Sequence, residues 1–217
     1  AIMLLRYVDR QDFHAWRLRA HLPHLAAFVL LSTAALLTHY NMVFVLVAWY
    51  AWWAAWALLR SDRWRQTGVL VGSGLVMVLL VLPMAPIALR QIPDYANPNI
   101  TIVSAAEYLR QNWQAYAGGY AFDGALPAKY APWWLWGTLL LAAGGLGIAA
   151  VVLWRQRQSV SSTRHSVVRF SFLSVWLAGA LALYYVAVLD RNAFNVRYAS
   201  FVTPALYALL GIGFAAL

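Results

Sequence analysis

IALRQIPDYANPNITIVSAAEYLRQNWQAYAGGYAFDGALPAKYAP, residues Ile87 to Pro132, holds most of the chain that is neither strongly apolar nor a short basic connector. Leu22 to Leu59 and Val69 to Leu82 lie before it, and Trp133 to Trp154, Phe170 to Leu189 and Tyr198 to Leu217 lie after it, all nearly free of charge. The stretch therefore reads as a polar island carried on membrane helices. With 63% hydrophobic and 11% charged residues the chain falls well below the roughly 25% charge of a soluble domain. The formal charge of +9 does not point to nucleic acid, because the basic residues sit between apolar runs instead of clustering on one face. There is no cysteine, which excludes disulfides and thiolate metal sites.

A spanning helix needs about 20 mainly apolar residues. Leu22 to Leu59 is too long for one span and is broken at Thr38-His-Tyr-Asn41, so it reads as two short spans and a tight turn, the alternative being one helix with a buried polar knot. Gln66 to Pro86, Trp133 to Trp154, Phe170 to Leu189 and Tyr198 to Leu217 supply the rest. The expected fold is all-α: a polytopic transmembrane bundle of about six spans, forming one domain over residues 1–217. Continuous apolar runs without period-two alternation favour helices over a barrel. Residue 1 is Ala, Ala1 to Leu5 looks like the last turn of an apolar helix, and no polar tail follows Ala215-Ala-Leu217, so the chain reads as an internal or C-terminal fragment of a longer protein.

Basic residues orient the bundle, since Lys and Arg favour cytoplasmic connectors. Arg6, Arg10, Arg17, Arg19, Arg60, Arg63, Arg65, Arg155, Arg157, Arg164 and Arg169 fall on one set of connectors, and Arg90, Arg110, Lys129, Arg191 and Arg197 on the other. That bias makes about 155–169 a flexible cytoplasmic loop and puts about 87–132, the Thr38 to Asn41 turn and Asp190 to Arg197 outside. Interfacial Trp133, Trp134, Trp136 and Trp154 support the boundaries. Trp49, Trp52, Trp53 and Trp56 read as packing or lipid-facing bulk, and the Gly68/Gly72 and Gly144/Gly145/Gly147 groups allow close helix contacts.

Within the outer loop, Pro93 to Asn99 is dense in turn formers and reads as irregular. Ser104-Ala-Ala-Glu107 then fits a capping box, and Gly118-Gly119 a helix stop, which predicts a helix at about Ala105 to Ala117. Val103, Ala106, Leu109, Trp113 and Tyr116 share one face, so this helix should be amphipathic and lie on the membrane surface or on the spans below. Glu107 reads as a cap and Asp123 as a turn residue. Asn99-Ile-Thr101 is formally a glycosylation acceptor but too short a motif to carry weight. Arg191 and Arg197 stand immediately before an apolar span, where a guanidinium either snorkels as an interface anchor or binds the phosphate of a lipid-linked substrate. His39 and Tyr40 either cap their hairpin or line an outer cavity. One His without partners at ligand spacing is no metal site.

The order of Leu36-Leu-Thr-His-Tyr40, an arginine-rich turn, a span ending at Pro83, Glu107-Tyr-Leu-Arg-Gln-Asn-Trp113, Tyr116-Ala-Gly-Gly119 and Asn195-Val-Arg-Tyr-Ala-Ser-Phe-Val-Thr-Pro204 resembles the polyprenyl-phosphate-sugar-dependent glycosyltransferases of the GT-C superfamily, specifically family 39 and its protein-mannosyltransferase-like bacterial members. The resemblance covers nearly the whole chain and rests on the shared order. It implies a hexosyltransferase that moves a sugar from a polyprenyl or dolichyl phosphate to an acceptor at the periplasmic or lumenal face. It also implies a multi-pass protein of a bacterial plasma membrane, or of the endoplasmic reticulum if eukaryotic. The family's acidic base, often near a divalent metal, lies in an earlier outer loop, so no catalytic base, metal ligand or cofactor is assigned within this chain. Arg197 and Tyr198 match the family's late Arg-Tyr and, with Arg191, are assigned to the donor phosphate. His39 and Tyr40 match its Thr-His-Tyr turn near the outer cavity, of which the outer loop would form a lid or wall. The competing reading is a transporter or flippase for a lipid or polar solute, which would be expected to carry ionisable or broken-helix sites near the bilayer midplane.

Overall fold

A computed structural model describes residues 1–9, 18–94, 104–118, 131–156, 162–189 and 196–214. Every regular element among them is helical, with no strand. The helices form two compact units, Ala1–Asp94 and Tyr95–Leu217.

The first unit contains α1 (Ile2–Asp9), α2 (Leu18–Thr38), α3 (Met42–Leu58), α4 (Arg63–Val81), a 3-10 turn at Leu82–Met84 and α5 (Ala85–Asp94). The break between α2 and α3 falls at the polar residues, as expected. The Thr38 hydroxyl donates back to the Ala35 carbonyl at 2.9 Å, and the Met42 amide donates to His39 O at 3.0 Å, which closes the turn. Thr38 can do this because a β-hydroxyl competes for the carbonyls of its own last turn.

The core of this unit is aromatic. Trp53 is fully buried, with ring centroids of Tyr7, Tyr50 and Phe28 at 5.4, 5.8 and 6.2 Å. Trp49 and Trp52 are buried beside it, so three of the four tryptophans of α3 are packing bulk inside the fold. The close approach expected at Gly68 and Gly72 occurs instead at Gly74. A Cβ there would stand 3.5 Å from the Tyr50 ring, whereas Gly68 and Gly72 face open space. The reason is the register set by Tyr50 and Ser73, whose oxygens are 3.0 Å apart. Ser73 donates its one proton to Leu70 O at 2.8 Å, so Tyr50 is the donor in that pair.

Helix continues past the expected end of the third span. Pro83 lacks an N–H, and the chain answers with one tight turn in which Ala85 N donates to Leu82 O before α5 resumes. Pro93 and Asp94, expected to be irregular, are the last residues of α5; 95–99 lie outside the described residues.

The second unit contains α6 (Ala105–Gly118), α7 (Ala131–Gln156), α8 (Ser162–Val188), a 3-10 segment at Val196–Val202 and α9 (Thr203–Phe214). Phe172, Trp176, Ala180 and Tyr184 form a buried stripe of fourfold spacing along α8, and Ala205, Leu206 and Leu209 form the buried face of α9.

Three helices among the described residues are long and apolar enough to cross a bilayer: His21–Thr38, Arg63–Arg90 and Ser166–Val188. Met42–Leu58, Ala143–Val152 and Tyr198–Ile212 are apolar but shorter. The turns that bound α3 hold it to 17 residues. Only 11% of the most apolar window of Arg63–Arg90 is buried within the fold. Val71, Leu75, Val78, Leu79 and Leu82 are all exposed along it, an apolar surface that lipid would cover.

Trp53→Ala empties the centre of the first unit and is expected to cost about 3–5 kcal/mol, read as an earlier midpoint in reversible detergent unfolding.

Candidate functional site

The helix expected in the outer loop is present as α6, and its start follows the capping signal in part. The Glu107 amide donates to Ser104 Oγ at 3.3 Å. The Glu107 carboxylate does not return to Ser104 to complete the box. Arg110 grips it with two bonds of 2.7 and 2.6 Å, and Gln111 donates to it at 2.6 Å. Hydrogen bonds from Arg110 and Gln111 hold the Glu107 carboxyl down at about 2. A carboxylate so occupied is a poor proton acceptor, in keeping with the structural role read for it.

The buried face of α6 differs from the apolar face expected. Ala106 is exposed and Leu109 is 56% exposed, while Tyr108, Asn112, Ala115 and Tyr116 are buried. The inward residues are polar-tipped because their tips meet backbone carbonyls. Tyr108 donates to Leu181 O of α8 at 2.9 Å, with its ring 4.8 Å from that of Tyr185. Burial, and then the neighbouring Tyr184, push the Tyr108 hydroxyl above its ordinary pKa, so it stays a donor. Asn112 donates to Tyr108 O at 2.8 Å. Tyr116 lies 2.9 Å from Asn112 Oδ1 and 2.8 Å from Ala199 O, so its single proton is shared between two buried acceptors. Tyr207 of α9 closes the arrangement by donating to Tyr116 O at 2.9 Å.

These bonds seat α6 on the 3-10 segment Val196–Val202. Ala199 and Val202 of that segment are fully buried, and the Trp176 indole donates to Phe201 O at 3.2 Å. Arg197 and Tyr198 occupy the same segment, two and one residues before the carbonyl that Tyr116 holds. Tyr198 is half-buried. Arg191 and the side chain of Arg197 lie outside the described residues. His39 and Tyr40 belong to the first unit, exposed at the turn between α2 and α3. Among the described residues no three His, Asp or Glu side chains converge as a metal site would require.

Of the residues that seat α6, Tyr116 falls on the predicted inward face, whereas the roles of Tyr108, Asn112 and Tyr207 were not singled out by sequence reasoning. The available signal was the strict fourfold spacing of Tyr108, Asn112 and Tyr116, which puts three hydrogen-bonding tips on one helical stripe. No family model, no curated protein and no solved structure matches the chain.

Tyr116→Phe removes the hydroxyl that Ala199 O and Asn112 Oδ1 share in a buried position. The expected loss is about 1–3 kcal/mol in detergent unfolding, with faster amide exchange along α6. A loss under about 0.5 kcal/mol with unchanged exchange would count against this seating.

Proposed function

We propose that this chain is the membrane-embedded part of a glycosyltransferase that transfers a hexose from a polyprenyl- or dolichyl-phosphate donor to an acceptor at the outer face of its membrane. One observation carries the reading. Two pieces of the resemblance, Tyr116 to Gly119 and Asn195 to Pro204, are joined by the 2.8 Å bond from Tyr116 to Ala199 O. Parts of the resemblance separated by some 80 residues are thus in direct contact. The almost uncharged spans also favour chemistry at the surface over a midplane transport site.

In this reading the apolar blocks make six crossings, with the three shorter helices completing the set. The excess of arginine on one set of connectors turns residues 87–132 and Arg197 outward. The acceptor hydroxyl oxygen attacks the anomeric carbon from the face opposite the carrier. A new glycosidic bond forms, the bond from carbon to phosphate oxygen breaks, and its electron pair leaves with the polyprenyl phosphate. The hydroxyl proton passes to the acidic base that the resemblance assigns to an earlier outer loop. Arg197, with Arg191 and Tyr198 near it in sequence, is assigned to stabilise the charge that accumulates on the leaving phosphate. Such a guanidinium lowers the barrier because the charge is larger in the transition state than in the bound donor. A divalent metal, where the full-length enzyme holds one, would add Lewis-acid stabilisation at that phosphate. α6 acts as the wall of this cavity, and its carboxylate is structural. A bacterial plasma membrane is the setting most consistent with the resemblance.

In the full-length protein, Arg197→Ala is expected to abolish sugar transfer from a polyprenyl-phosphate donor while membrane insertion persists, and unchanged turnover would remove the assignment. For the orientation, the cysteine-free chain offers a clean test. A single Gly119→Cys should react with an impermeant thiol reagent in intact cells, and reaction only after permeabilisation would reverse the topology.

A further inference from the structure

Seven consecutive residues, Val196–Val202, are wound as a 3-10 helix before α9 begins. Helices of this kind have poor hydrogen-bond geometry and seldom run beyond three or four residues, so a run of this length depends on bonds from outside it. Two side chains supply them. Trp176 of α8 donates to Phe201 O at 3.2 Å, near the end of the segment, and Tyr116 of α6 donates to Ala199 O at 2.8 Å, in its middle. The Tyr184 ring stands edge-on to Phe201 at 5.9 Å and braces the same end as Trp176.

The two halves of the segment are thus held by different elements. The later half is fixed by α8, a helix with a buried stripe along its length. The earlier half carries Arg197 and Tyr198 and meets α6 through Tyr116. The inner face of α6 is polar-tipped, with Tyr108, Asn112 and Tyr116 buried on it. Such a face loses less on leaving its seat than an apolar one of equal area, because water offers the freed hydroxyl, amide and carbonyl groups new partners. Of the two supports α6 is therefore the more readily displaced. Tyr207 of α9 opposes that displacement by donating to Tyr116 O at 2.9 Å, which holds the backbone of the residue whose side chain holds Ala199.

We propose that Tyr116 is a positioning residue for the donor phosphate. It acts through the backbone: by holding Ala199 O it fixes the chain at Arg197 and Tyr198, and so couples the docking of α6 to the filling of the phosphate site. The inference rests on the transferase reading and adds a regulatory link to it. A ligand that binds the ordered segment more tightly than the loosened one must, by the same free energy, stabilise docked α6. Donor binding accordingly tightens α6 on its seat, and release of the carrier phosphate loosens it.

The test uses the purified full-length protein and a short-chain, water-soluble prenyl phosphate without a sugar, so that binding is read apart from turnover. Tyr116→Phe is expected to weaken binding of this probe about tenfold, roughly what the loss of a buried hydrogen bond amounts to. Tyr207→Phe, which frees the Tyr116 carbonyl and leaves its ring in place, should weaken it in the same direction. Tyr50→Phe removes the donor of the Tyr50–Ser73 pair in the first unit and should lower stability while leaving the affinity unchanged. Amide exchange supplies the reciprocal measurement: the probe should slow exchange along α6 in the unaltered protein and in Tyr50→Phe, but not in Tyr116→Phe. Equal affinity in the unaltered protein, Tyr116→Phe and Tyr207→Phe overturns the positioning role, as does an equal weakening by Tyr50→Phe, which marks a general loss of stability. An unaltered protein that binds no prenyl phosphate overturns the transferase reading itself, and this role with it.

Discussion

A buried backbone carbonyl must be satisfied from within the protein, since in apolar surroundings water cannot supply a donor. Much of the second unit is organised by this constraint. Tyr116 serves Ala199, Trp176 serves Phe201, and Tyr207 serves Tyr116 itself at the end of α6. Each donor is an aromatic side chain, which brings a large apolar body to the core with one polar tip. The same atoms thus fill volume and satisfy the backbone. Where the distances are short, the unit meets the demand locally, with Thr203 returning to Ser200 O at 2.8 Å.

In the first unit the turns after α2 and α3 recycle their own amides. That unit uses its polar contacts for register. Tyr7, Gln66, Asp62 and Arg60 form a chain that ties α1 to the start of α4, and Tyr50 with Ser73 fixes how α3 lies on α4. Neither contact needs the exposed side of α4. That side is apolar from Val71 to Leu89 and takes part in little packing, which is what a helix bounded by lipid requires.

Patterns governed by local chemistry were legible in the amino-acid order. The α2–α3 turn follows from four consecutive poor helix formers, and the bounds of α6 follow from Ser104 and the glycines after Ala117. What could not be read was any feature decided by a partner distant in sequence. Leu109 ranks as more apolar than Asn112, yet Asn112 is inside, since Tyr108 O and Tyr116 wait there for an amide. Gly74 and not Gly72 takes the close contact, because Tyr50 chooses the register. Pro83 looked like the end of a span, whereas one 3-10 turn lets the helix resume beyond it. Of the residues assigned to donor binding, the order of motifs pointed to the Arg197-Tyr198 segment. The polar ladder of α6 that lies against this segment falls within quoted motifs, but only its fourfold spacing signals that Tyr108, Asn112 and Tyr116 point the same way.

The 3-10 form of Val196–Val202 has a metric consequence. A 3-10 helix advances about 2.0 Å per residue against about 1.5 Å for an α-helix. Over the six steps from Arg197 to Thr203 the difference comes to about 3 Å, so the arginine's backbone is carried that much farther along the segment's own axis than regular helix would carry it. Tyr116 and Trp176, by holding the carbonyls of Ala199 and Phe201, keep the segment at this drawn-out length. They act as the stops that set the reach of its leading end.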